Sequence, residues 1–178
     1  MPMARPRRIP DDQVFALIRT LLAEGGPRHV TFATVAARSG LAGPSLVQRY
    51  LSRDGMVAAA LIDGWDRLDR ATLQATAATP DGAKGAVALL KAIAPSDPAL
   101  PPFDLRYLMS DMTGPLARDR AALWRQSLLG ALQTKLGDHG PTRAEMLFAL
   151  WQGRLLWSHA DAATTFRLRD AARLLLAR

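Results

Sequence analysis

The chain has 178 residues, 49% of them hydrophobic, a formal net charge of +7 and a sequence isoelectric point of about 10.9. It has no cysteine, which excludes a disulfide framework, a cysteine nucleophile and a thiolate zinc site. The positive balance favours polyanionic partners, either nucleic acid or an anionic membrane surface.

No apolar run approaches the roughly 18–20 residues that span a bilayer, so no membrane-spanning segment is expected. Met1 to Pro10 is basic but is not followed by an apolar segment, so it does not read as a secretory signal, and a cytoplasmic location is expected. The charge is concentrated at the head. Residues 1–55 hold Arg5, Arg7, Arg8, Arg19, Arg28, Arg38, Arg49 and Arg53 against Asp11, Asp12, Glu24 and Asp54.

Apolar residues recur at helical spacing throughout, and alternating β-branched runs are missing, which predicts an all-α fold of about nine helices. After the arm 1–10, a first helix starts at Asp11 or Asp12 as N-cap, carries Val14, Phe15, Ile18, Leu21 and Leu22 on one stripe, and ends at Gly25-Gly26-Pro27. A second begins after the N-cap Thr31, buries Phe32, Val35 and Ala36, and stops at Ser39-Gly40. A short third helix runs from Gly43 to Leu51 with Pro44 in its first turn, where a missing N–H costs nothing. Ser52-Arg53-Asp54 opens a long fourth helix to about Ala78, and Thr79-Pro80-Asp81-Gly82 breaks it. A helix at about 83–94 precedes the proline-rich loop Pro95 to Pro102. Helices near 103–113, 115–136, 142–159 and 162–177 complete the chain.

Two short helices joined by a tight turn after a glycine, in a basic setting, are the ingredients of a helix-turn-helix. Ala36 is small where the helices cross, Gly40 sits where the turn needs positive φ, and Leu41 and Leu46 plug the space between. On the third helix Leu46, Val47 and Tyr50 are expected inside, leaving Gly43, Ser45, Gln48 and Arg49 outside. Gln can pair bidentately with adenine and Arg with guanine in the major groove, so Gln48 and Arg49 are the candidate base readers. Thr31, Thr34, Ser45 and Arg53 are candidate phosphate contacts, with Gly43, Pro44 and Tyr50 completing the DNA-binding set. Arg7 and Arg8 in the arm are candidates for the minor groove or the backbone.

The stretch Asp12 to Leu61 resembles the DNA-binding domain of the TetR (tetracycline repressor) family. Members show Glu-x-Gly at the end of the first helix, then Thr-x-x-x-Ile-Ala-x-x-Ala-Gly-Val-Ser-x-Gly-x-Leu-Tyr-x-His-Phe-x-x-Lys. This chain reads Ala23-Glu24-Gly25-Gly26, then Thr31-Phe32-Ala33-Thr34-Val35-Ala36-Ala37-Arg38-Ser39-Gly40-Leu41-Ala42-Gly43-Pro44-Ser45-Leu46-Val47-Gln48-Arg49-Tyr50-Leu51-Ser52-Arg53. Ala42 replaces the family's serine cap and Val47 its tyrosine, while Arg53 and Tyr50 keep the charge and the aromatic ring.

The resemblance implies a helix-turn-helix domain over 11–55 and a ligand-binding and dimerisation domain over 56–178. It also implies a homodimeric repressor that binds a palindromic double-stranded DNA operator and is released by a small apolar or amphipathic effector. The expected effector-site residues are Trp65, Phe103, Tyr107, Met112, Trp124 and Gln152. From Met146 to Trp157 apolar residues occupy nearly every face, so that helix must be covered on two sides. Leu147, Leu150, Trp151, Gly153 and Trp157, with Leu174 from the last helix, are the expected dimer interface.

The histidines His29, His139 and His159 lie in separate segments, and no paired metal ligands, phosphate-binding loop or nucleophile elbow appears. No catalytic residue, metal or cofactor is expected. The alternative to a repressor is a TetR-like helical dimer without sequence-specific DNA binding, acting as a ligand- or partner-binding module.

Overall fold

The computed structural model describes residues 9–93, 115–137, 140–157 and 167–176. Among them are eight α-helices and no strand: α1 (Asp11–Gly25), α2 (Phe32–Ser39), α3 (Gly43–Tyr50), α4 (Arg53–Ala78), α5 (Ala83–Ile93), α6 (Pro115–Leu136), α7 (Gly140–Trp157) and α8 (Leu168–Leu176). A 3₁₀ turn, Pro27–His29, joins α1 to α2. The helix expected near 103–113 and most of the arm lie outside the described residues. No helix among the described residues is long and apolar enough to cross a membrane.

The first compact unit comprises the described residues up to Asp66. Its helix α1 buries Val14, Ile18, Leu21 and Leu22, the i, i+4, i+7, i+8 stripe of an amphipathic helix. The expected cap shifts by one position: Pro10 occupies the N-cap, and Asp11 and Asp12 are the first helical residues, where their charge complements the helix dipole. Val35 of α2 and Leu46 of α3 are fully buried, and α2 contacts both α1 and α3. Two ion pairs tie the unit together. Arg38 of α2 meets Glu24 of α1, a hydrogen bond that lowers the carboxyl's pKa, and Arg19 of α1 pairs with Asp63 of α4.

The second unit runs from Arg67 onward. Here α6 contacts α5 and α7, and α8 contacts α5 and α7. Trp124, Phe148 and Trp151 are all buried, with ring centroids 6.0–6.3 Å apart. The Trp124 indole N–H donates to the Thr72 hydroxyl at 3.0 Å, so the polar edge of that ring is satisfied inside the core. Lys135, only 5% exposed, points its ammonium at the carbonyl of Thr79, 2.6 Å away, just past the end of α4. A cation there complements the carbonyl end of the helix dipole.

Candidate nucleic-acid interface

The predicted helix-turn-helix elements form, and each local feature has an identifiable cause. The Thr31 hydroxyl caps α2 by accepting from the Thr34 amide at 3.0 Å, and the two threonine hydroxyls lie 2.7 Å apart. Gly40 closes α2 with φ +73° and ψ 10°, the left-handed conformation the turn requires. Ala42 gives α3 no side-chain cap, as its missing hydroxyl implies. The Ala42 carbonyl instead accepts from the amides of Ser45 and Leu46, and Pro44 has no amide to satisfy.

Leu46, fully buried, sets the rotation of α3. At about 100° per residue, Pro44 and Gln48 point about 160° away from it. Pro44, Ser45, Gln48 and Arg49 are exposed, and Gly43 is half-buried. Val47 departs from expectation. It is 45% exposed rather than part of the inner face, because only Leu46 among the α3 residues is directed into the core and Val47 lies about 100° round from it. An exposed apolar residue is thus part of the presented surface. The signal for it was the angular offset from Leu46, outweighed in the sequence by the valine's hydrophobicity.

Arg49 does not stand free. One guanidinium nitrogen donates to the Asp11 carboxylate at 3.0 Å and to the Ile9 carbonyl at 3.2 Å. The Tyr50 hydroxyl donates to the same Asp11 oxygen at 2.7 Å, and the Tyr50 ring packs against Phe15 at 6.0 Å. Burial, and then that hydrogen bond, push the Tyr50 phenol up to about 12. Asp11 was not a candidate in the sequence, since nothing local links it to a helix nearly forty residues away. The Ile9 contact sets the root of the basic arm beside α3, while Arg7 and Arg8 themselves lie outside the described residues.

Arg53 is committed elsewhere. Its Nε donates to the Val30 carbonyl at 2.8 Å, one terminal nitrogen to the Pro27 carbonyl and the other to Asp54. It clamps the loop after α1 to the start of α4, and a phosphate contact would have to displace those partners. Between α3 and α4, Leu51 adopts φ +65° and ψ −45°, with the Ser52 amide donating to the Tyr50 carbonyl at 2.7 Å. This is a strained γ-turn. A Cβ at Gly55 would come within 2.5 Å of that same carbonyl, so the close approach of α4 to the turn needs glycine.

Of the expected effector residues, Trp65 is buried in the first unit. In the second, Trp124 is part of the packed aromatic core and Gln152 is half-buried. Phe103, Tyr107 and Met112 lie outside the described residues. The expected dimer surface divides. Leu147 and Trp151 are 1% and 3% exposed, turned into their own unit, where Trp151 packs on Trp124 and Phe148. They are corrected from interface to core. Leu150, Trp157 and Leu174 are exposed and Gly153 is half-buried. With Met146, also exposed, the α7 residues 146, 150, 153 and 157 follow the 4-3-4 spacing of a single helical face.

No protein-family model and no curated protein matches the chain. Solved structures do match. A TetR-family transcriptional regulator, PfmR from Thermus thermophilus, is 15% identical, with a TM-score of 0.64 over 93% of this chain and 97% of that one. A transcriptional regulator from Rhodococcus sp. Rha1 is 21% identical, with a TM-score of 0.70 over 94% of each chain. AmtR from Mycobacterium smegmatis is 17% identical, with a TM-score of 0.62 over 99% of this chain and 91% of that one. The helix order, the turn at Gly40 and these full-length likenesses agree: the chain has the fold of a TetR-family transcriptional regulator.

Proposed function

We propose that this chain is a TetR-family transcription regulator: a homodimer that binds a palindromic double-stranded DNA operator through α3 and is released from it by a small apolar or amphipathic effector. The observation that carries this reading is the orientation of α3. Leu46 is sunk in the core, and Pro44, Ser45 and Gln48 are turned outward on a helix short enough to enter a major groove. The basic bias of residues 1–55 supplies the sequence-independent attraction to phosphate. Gln48 and Arg49 are the proposed base readers, with Ser45, Thr34 and the arm residues Arg7 and Arg8 on the backbone. Two headpieces on one face of DNA require a dimer, for which we propose the exposed α7 face of Met146, Leu150, Gly153 and Trp157, with Leu174 of α8. The effector is assigned to the helical body, and no catalytic role is proposed.

Selection of bound fragments from random and genomic DNA, followed by fluorescence anisotropy, tests this reading. Recovery of a two-fold symmetric site with half-sites about one helical turn apart supports it. Weak binding that is indifferent to sequence and unchanged by Gln48→Ala overturns it, and leaves the fold as a ligand- or partner-binding module.

A further inference from the structure

We infer that α3 reads the 5-methyl group of thymine through Val47, an inference that rests on the DNA-binding reading above and specifies what that helix selects. Val47 is 45% exposed, on a helix whose rotation is fixed by the fully buried Leu46. Pro44, three residues earlier on the same side, is exposed as well, and Gln48 is the next residue along. The presented surface of α3 therefore includes an apolar strip, Pro44 and Val47, running beside the Gln48 amide.

A valine has no donor or acceptor, so it cannot pair with a phosphate or with the polar atoms of a base edge. The one apolar group that base pairs offer in the major groove is the thymine methyl. Val47 also suits that contact dynamically. A β-branched side chain in a helix holds essentially one χ1 rotamer, so its methyl groups are aimed before DNA arrives and little side-chain entropy is lost on contact. The neighbouring Gln48 has the complementary specificity, because a glutamine amide matches adenine N6 and N7. Consecutive residues matched to adenine and to thymine methyl select an A·T-containing step within each half-site.

The test uses the full-length protein and the duplex recovered by selection, with each thymidine of the half-sites replaced in turn by deoxyuridine. That exchange removes a methyl group and leaves every hydrogen-bonding atom in place. At one or two positions per half-site the affinity is expected to fall about three- to fivefold, the size of one lost methyl burial. Val47→Ala is expected to erase that penalty at the same positions, whereas Gln48→Ala lowers overall affinity and keeps it. Uracil duplexes that all bind within about 1.5-fold of the parent overturn the inference, as does a penalty that persists in Val47→Ala; about 1.5-fold is well below the loss of a buried methyl. The two readings fail separately: a protein that binds no duplex defeats the DNA-binding reading itself, and one that binds specifically but ignores the methyl group defeats only this one.

Discussion

The guanidinium of Arg49, on the helix proposed to face DNA, lies 3.0 Å from the carboxylate of Asp11 at the start of α1. The oxygen it meets also accepts the Tyr50 hydroxyl. A carboxylate oxygen that accepts from a guanidinium and a hydroxyl makes the kind of charge-assisted bonds that a phosphate oxygen also accepts. Engagement of Arg49 by phosphate or guanine would therefore exchange one anion or acceptor for another. The exchange is inexpensive, because a largely exposed ion pair contributes under about 1 kcal/mol.

Asp11→Asn is accordingly expected to tighten binding to the selected duplex by about two- to fivefold, the equivalent of under about 1 kcal/mol. Anisotropy titrations at low and moderate salt check this. The gain should shrink as salt screens the competing charge. Weaker binding in the variant would mean that Asp11 positions Arg49 for DNA instead of competing for it.

The Tyr50 phenol is pushed from 10.0 up to about 12, first by burial and then by its bond to Asp11. Since folding raises this value, the protonated phenol contributes stability in full below about pH 10, and the contribution is lost as pH rises through about 12. Absorbance titration should show one late-ionising tyrosine that disappears in Tyr50→Phe and moves lower in Asp11→Asn. A Tyr50→Phe protein that retains the late phase would refute the assignment.

Lys135→Met should lower stability by about 1 kcal/mol, because it leaves the partly buried Thr79 carbonyl without its charged donor. The methionine keeps the aliphatic volume, so the loss reports on the ammonium rather than on packing. Urea denaturation with an unchanged m-value measures it.

Leu51→Gly should stabilise the protein. The leucine is 84% exposed, so little burial is lost, and its φ of +65° is strained for any residue with a Cβ. Relief of about 1–3 kcal/mol of strain is offset by about 0.4–1 kcal/mol of added freedom in the unfolded chain, for a net gain of about 1 kcal/mol. A lower denaturation midpoint would show that the turn is held by something other than backbone geometry.

Leu150→Glu places a charge in the middle of the exposed α7 face. Analytical ultracentrifugation should show a dimer for the parent protein and a monomer for the variant, with DNA affinity falling at least about tenfold as one half-site is lost. A variant that remains dimeric would move the pairing surface elsewhere. Leu147→Glu, by contrast, should unfold the protein, because Leu147 is 1% exposed.

The amino-acid sequence by itself determined the helices, their breaks and the local chemistry of the headpiece. The 3.6-residue period of the apolar positions, the cap at Thr31, the left-handed Gly40 and the proline at the start of α3 act over a few residues, so a linear reading captures them. Helix ends agree with the structure within a few residues where they are described, except that the last helix, expected over 162–177, begins only at Leu168, and the uncapped start at Ala42 is as the missing hydroxyl implies. Only the tertiary structure decided how each helix is rotated and which long side chains meet. Hydrophobicity alone placed Val47 inside, but the anchoring of Leu46 turns it outward. An apolar α7 left open which of its faces was internal, and the packing of Trp151 against Trp124 and Phe148 chose one. The Asp11–Arg49–Tyr50 cluster joins groups nearly forty residues apart, and pairing over that distance depends on the path of the whole chain rather than on any local spacing.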